Sequence, residues 1–164
     1  MGQGQISAFI SGAGSDHLNR TIHEIWGFTD PQIENTHDFI QWLFPLNEKS
    51  RAVPQSPVLT TEDIFAIKNS AVAQANLRKS ALWFESFLER TDLWLRPRNH
   101  NHLRISRVIK SVNILIDSNS SLVFFEKIME MSLPHSKKME GVRGFWTNLV
   151  LDLSKKTDEA QKSL

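Results

Sequence analysis

The chain is 164 residues long, enough for one domain with its own core, since a chain near this length buries roughly 70% of its unfolded surface. Lys and Arg number 19 against 18 Asp and Glu, a net charge of +1, so the body as a whole is neither a nucleic-acid glove nor an acidic tail. Zero cysteines exclude disulfides, a thiol nucleophile and metal centres built on thiolates.

Along the chain, the very start at Gly2 reads as a frayed terminus. Gly2 after Met1 invites myristoylation, but that pattern needs Ser or Thr where Ile6 stands, with Ser7 one place late. No apolar run approaches the roughly 18 residues a bilayer span requires, and no secretory leader is evident, so the expected location is the cytoplasm. Thr21 and Glu24 have capping-box spacing, with Gly27 closing a short helix. Thr29-Asp30-Pro31 opens a second helix expected to run from about 31 to 44, where Pro45 stops it. Pro45, Pro54 and Pro57 mark an ordered surface connection.

Thr60 or Thr61 caps the next segment, which extends to Arg90 with a break near Asn69-Ser70. Within it Ala73, Leu77, Ala81, Phe84 and Leu88 form a helical stripe. After Pro97 a helix is predicted over about 100–116, with Ile105, Val108, Ile109, Val112 and Ile116 facing the core. Asp117 to Ser120 reads as a turn. Leu122, Phe125, Ile128 and Met129 mark a further helix, and Val142 to Leu153 the last. No segment alternates with the period of a strand. The expected fold is therefore all-α, a single-domain bundle of about six to seven helices with those at 31–44 and 100–116 packed centrally. Residues 1–153 form the domain and 154–164 a polar, frayed tail.

Two polar stripes border the predicted core. Glu34, His37 and Gln41 share one side of the second helix, and His100, Arg104, Arg107 and Ser111 share about a sixth of the circumference of the later one. His102 falls near its other border. No acidic residue occurs from Leu93 to Ile116, while Arg96, Arg98, Arg104, Arg107 and Lys110 do. As a pocket, the stripes would let Arg104 and Arg107 grip a carboxylate or phosphate and Glu34 accept from an amine, with His37 or His100 changing protonation near neutral pH. As structure alone, Asn99 would cap the helix and Glu34 would pair with Arg104 in a buried network.

Glu34-Asn35-Thr36-His37 has the Glu-x-x-His spacing of di-iron bundles, but only one copy is present where two are needed. A mononuclear metal site from His37, His100 and His102 needs His100 to precede the helix, because residues two apart diverge by about 200° on one. Trp94 beside Arg96 and Arg98 offers a base-stacking ring, a third reading as a weak nucleic-acid contact through Arg96 to Lys110 that the overall charge disfavours. No nucleophile elbow, phosphate loop or His-Glu-x-x-His occurs, so an enzyme reading rests on His37 or His100 as a lone general base, and no catalytic residue or cofactor is assigned.

The blocks His37-Asp38-Phe39-Ile40-Gln41-Trp42-Leu43-Phe44-Pro45-Leu46 and Asn99-His100-Asn101-His102-Leu103-Arg104-Ile105-Ser106-Arg107 closely resemble the two signature blocks of the opioid growth factor receptor conserved region. Ile25-Trp26, Ile33 before Glu34-Asn35, Ser56 to Thr60, Asn76-Leu77 and Phe145-Trp146 match more weakly, over roughly residues 6 to 150. The resemblance implies a receptor for methionine enkephalin associated with the nuclear region and unrelated to seven-helix opioid receptors. It also implies a membrane association that no apolar run here supports. The chain departs from the animal proteins in its short spacer from Phe87 to Pro97 and in lacking C-terminal repeats and nuclear targeting, so it looks like a stand-alone domain of the bacterial kind. The expectation is a non-enzymatic binding module whose partner is a small anionic or zwitterionic molecule, a peptide or a protein. Its ligand residues would be Glu34, His37, Gln41, Asn99, His100, His102, Arg104 and Arg107.

Overall fold

A computed structural model describes residues 4–163; the myristoylation pattern at Met1 and Gly2 lies outside them. In order come α1 (Gln5–Ser11), α2 (Ile22–Trp26), α3 (Asp30–Asn35), α4 (Ile40–Leu43), α5 (Thr61–Lys68), α6 (Ala71–Arg90), α7 (Asn101–Leu115), α8 (Ser118–Ser132), a 3-10 turn (Leu133–His135) and α9 (Glu140–Lys162). No strand occurs among the described residues, and the class is all-α. The helix count exceeds six or seven because α1 was not anticipated and the second predicted helix is two pieces. The chain divides into two compact units, Met1–Phe84 and Glu85–Leu164, the division falling within α6.

The first unit is built from short helices with strong ends. Thr21 and Glu24, Thr29 and Gln32, and Thr60 and Asp63 each form a reciprocal capping box at the starts of α2, α3 and α5, satisfying amides that a helix start leaves without partners. Helix α1 adds an element that the sequence reading did not include: Ile6, Phe9 and Ile10 are buried, one face at i, i+3 and i+4. It ends at Gly12, whose φ of 85° is the left-handed conformation that favours glycine. The connection after Pro45 is ordered, as expected: the Leu59 amide donates to the Leu46 carbonyl at 2.8 Å, and both side chains are buried.

The predicted helix over 31–44 breaks between α3 and α4. Thr36 closes α3 in an extended conformation (φ −101°, ψ 125°), and Asn35 Nδ2 bonds the Pro31 carbonyl at 2.8 Å. Just beyond, Asp38 is held by Arg20 and His17, and Phe39 is fully buried against Phe28 and Trp83 at centroid distances of 5.5 and 6.1 Å. These tertiary contacts override local helical periodicity. Trp42 is buried with its ring edge-on to Phe9 at 5.5 Å. In α6 the predicted break before Ala71 is present, with Ser70 Oγ accepting from the Ala73 amide, and Ser80 rather than Ala81 occupies the buried stripe.

The second unit is built from long helices. Ile105, Val108, Ile109, Val112 and Ile116 of the α7 region are all buried, the predicted core face. Helix α8 begins directly after Asp117, whose carboxylate accepts from the Ser120 amide at 2.6 Å, so the expected turn is the first turn of the helix. Its inward residues are Ser121, Phe124, Ile128 and Ser132, rotated from the expected Leu122 and Phe125. Ser121 Oγ donates to the Ile109 carbonyl at 2.8 Å, which allows α7 and α8 to approach closely. Helix α9 continues past Leu153 to Lys162, so residues 154–162 are helical rather than irregular; Trp146 is its one buried residue.

Candidate binding site

The break between α3 and α4 separates the residues of the first predicted stripe. Glu34 is half-buried on α3, His37 is exposed in the connection, and Gln41 is buried on α4. Gln41 Nε2 donates to the His37 carbonyl at 3.2 Å, which fixes the orientation of the amide because a carbonyl only accepts. The other end, Oε1, is buried with no hydrogen-bond donor among the described residues. A buried acceptor without a donor forfeits about 1–3 kcal/mol, so this oxygen is a place where a ligand's N–H would be rewarded. The Glu-x-x-His reading fails here, because the pair no longer spans one helical turn.

Beside this break lies a polar network that sequence reasoning missed. Asp16 is buried; its Oδ1 accepts from the Leu18 and Arg20 amides, each at 2.9 Å, and its Oδ2 from Arg20 Nε at 2.7 Å. Arg20 Nη2 reaches Asp38 Oδ1 at 3.0 Å and His17 Nε2 reaches Asp38 Oδ2 at 3.1 Å. The His17 ring stacks on Trp42, 6.0 Å between centroids and 8° from parallel. Burial works to raise the Asp38 pKa, and the hydrogen bonds and charges of Arg20 and then His17 outweigh it, holding the carboxyl below its ordinary value. The turn itself places Asn19 at φ 60°, a conformation Asn tolerates better than most residues. The available signal was Asp16-His17-Leu18-Asn19-Arg20, a run of turn-forming and charged residues.

In the second unit His102 is buried, and its Nε2 lies 2.7 Å from the Trp94 carbonyl oxygen, which assigns the proton to that nitrogen. The ring meets Trp146 edge-on at 5.6 Å. Trp94 is itself buried, its indole N–H shared between the carbonyls of Leu88 at 2.9 Å and Thr91 at 3.2 Å. Its face is therefore withdrawn from any base, against the stacking expectation. His100 stands exposed immediately before α7, so the two histidines part into different environments. Among the described residues no three His, Asp or Glu side chains gather as a metal ion would require.

Asn99 Oδ1 accepts from the Asn101 amide at 2.9 Å, one residue before the N-cap position of α7, which His100 occupies without a side-chain cap bond. Arg104 is buried, with Nη1 on Asn101 Oδ1 at 3.2 Å, and Arg107 is half-buried. A half-open cavity of about 210 Å³ in this unit is lined by Asn113, Ser118, Asn119, Ser121, Leu122, Val150, Leu153 and Ser154. It contains none of the predicted ligand residues.

The family model described as the opioid growth factor receptor (OGFr) conserved region matches residues 13–156. The chain is similar to opioid growth factor receptor-like protein 1 of Mus musculus, 30% identical over 138 residues covering 69% of this chain and 29% of that protein. It is also similar to the protein of the same name from Rattus norvegicus, 30% identical over 140 residues with the same shares. It thus spans under a third of the length of these relatives. No solved structure matches it. No described helix is long and apolar enough to cross a membrane.

Proposed function

The chain belongs to the opioid growth factor receptor conserved-region family, and from that premise we propose that it is a non-enzymatic binding module for a small zwitterionic, anionic or peptide ligand. The observation that carries the reading is Gln41 Oε1, a buried acceptor with no donor among the described residues, beside a backbone break that local sequence does not explain. An ammonium or amide N–H of the ligand supplies the missing donor there, and the half-buried carboxylate of Glu34, on the helix leading into the same break, adds charge complementarity. His37 stands exposed in the same connection. Asn99, His102 and Arg104 serve the second unit's own architecture in this reading. The receptor role in the relatives' names suits a binding module, and the cytoplasm is its proposed location.

The test is an NMR titration of the full chain with methionine enkephalin and its N-acetylated twin, beside native mass spectrometry of the freshly purified protein. Binding by the free amine, lost on acetylation and weakened about tenfold or more by Gln41→Leu without a lower melting temperature, is the expected result. A chain that carries no small molecule and binds neither peptide overturns the module reading, leaving Gln41 as part of a structural network. Equal binding by Gln41→Leu overturns its assigned role.

A further inference from the structure

The connection between α6 and α7, residues 91–100, combines two properties: it is anchored from within and presents charge outward. Trp94 provides the anchor. Its buried indole donates to two carbonyls, Leu88 and Thr91, and its own carbonyl is held by His102 Nε2 at 2.7 Å. The Leu95 amide closes a turn onto the Asp92 carbonyl at 3.0 Å, and Asn99 Oδ1 ties the far end to the Asn101 amide at 2.9 Å. Pro97 stands between Arg96 and Arg98, fixing its own φ and biasing Arg96 toward extended backbone.

Both arginines are exposed, and neither takes part in an ion pair or side-chain hydrogen bond among the described residues. Asp92 is the one acidic residue of the connection, at its start, and none follows through Ile116. A chain of net charge +1 has here concentrated positive charge that its own carboxylates leave uncancelled. An exposed arginine on a mobile loop is ordinarily just solvated. On an anchored loop the entropy cost of fixing the backbone upon binding has already been met in folding, and the planar guanidinium matches carboxylate and phosphate oxygens two at a time. Leu93, 37% exposed, adds an apolar shoulder to the same connection.

We propose that this connection is a docking surface for an acidic protein segment, with Arg96 and Arg98 gripping its carboxylate or phosphate groups. An extended segment presents every second side chain on one face, which suits two closely spaced arginines. Nucleic acid fits less well: the connection's one aromatic ring other than His100 is Trp94, and it is buried, so no indole platform is offered for a base. This surface lies in the second unit and does not depend on the Gln41 reading.

Fluorescence anisotropy on the full chain tests it with four labelled probes. These are a peptide alternating Glu and Ser, the same peptide with phosphoserine at the Glu positions, a Gln-for-Glu twin, and a single-stranded oligonucleotide of equal length. The acidic peptides are expected to bind, more tightly at low salt, and the Gln twin not to. Whichever of the two binds more tightly identifies carboxylate or phosphate as the recognised group. The double variant Arg96→Gln/Arg98→Gln should lose about tenfold per arginine with an unchanged melting temperature. Lys155→Gln/Lys156→Gln, which removes the same charge from exposed positions on α9, should bind as the parent does. Three results overturn the proposal: tighter binding of the oligonucleotide than of either acidic peptide, equal losses in the two double variants, or no binding of either acidic peptide at low salt.

Discussion

The two units reach the same all-α class by different means. In Met1–Phe84 the helices other than α6 are eight residues or shorter, too short to persist by themselves, and three of them, α2, α3 and α5, are secured by capping boxes. Three capping boxes and the Asp16–Arg20–Asp38–His17 network hold backbone and side-chain polar groups in place. In Glu85–Leu164 the helices run to 15 residues and more, and α7 buries a continuous face while α9 buries only Trp146. Both units bury apolar side chains, Phe9, Phe39 and Phe44 in the first and Ile105, Ile109 and Leu115 in the second; the unit of short helices adds directional polar contacts, which are sensitive to charge and pH, because short helices leave more of their backbone groups without internal partners.

The sharpest way to break that contrast is a volume change in the second unit. Trp94→Ala removes a buried indole and leaves the Leu88 and Thr91 carbonyls without its N–H, while the main-chain carbonyl that meets His102 stays in place. It should cost about 3–5 kcal/mol in denaturant unfolding, and a loss under about 1 kcal/mol, as at surface sites, would count against anchoring by this residue. A charge change in the first unit comes next. The lowered pKa of Asp38 means its stabilisation is present above the unfolded carboxyl pKa of about 3.9 and is lost as pH falls through the depressed folded value. Asp38→Asn should lower stability at neutral pH by about 1 kcal/mol or less, given partial exposure, and flatten that acid limb of the stability curve. If parent and variant follow parallel acid limbs, the ion pairs contribute nothing measurable.

The smallest expected effect has the opposite sign. A Cβ at Gly144, inside α9, would meet no atom within 4 Å, so Gly144→Ala should stabilise by about 0.5–1 kcal/mol through reduced unfolded-state freedom. Thermal melts of the pair check this, and a drop in melting temperature would show that this glycine has a packing role the static contacts do not reveal.

These differences also explain what could be read in advance. The caps at Thr21 and Thr29 and the core face from Ile105 to Ile116 were legible because each rests on residues three or four apart. The break at Thr36 was not, since Asp38 meets partners 18 and 21 residues away and Phe39 meets rings 11 and 44 residues away. Trp94 and His102 carried a correct hint of importance in the wrong role: flanking arginines and a neighbouring histidine suggested exposed chemistry, while the indole and imidazole turn inward to bond main-chain carbonyls. Gln41 was legible as a border residue, but its unmatched oxygen became visible only with the backbone break that surrounds it. Residues 154–162, polar in sequence, extend α9 because helix formation does not require an apolar face at every turn, and Thr157 Oγ1 donates to the Leu153 carbonyl at 3.0 Å within it.

The hydrogen bond from the Leu59 amide to the Leu46 carbonyl makes the intervening segment a closed bracket whose feet are fixed and whose span is exposed around Asn47 to Lys49. Cutting the polypeptide at Lys49 or Arg51 would therefore leave both ends of the cut pinned to the same spot. A trypsin-nicked molecule should remain assembled as two non-covalent fragments, and the same position offers a natural place to open the chain for circular permutation or to graft an inserted domain.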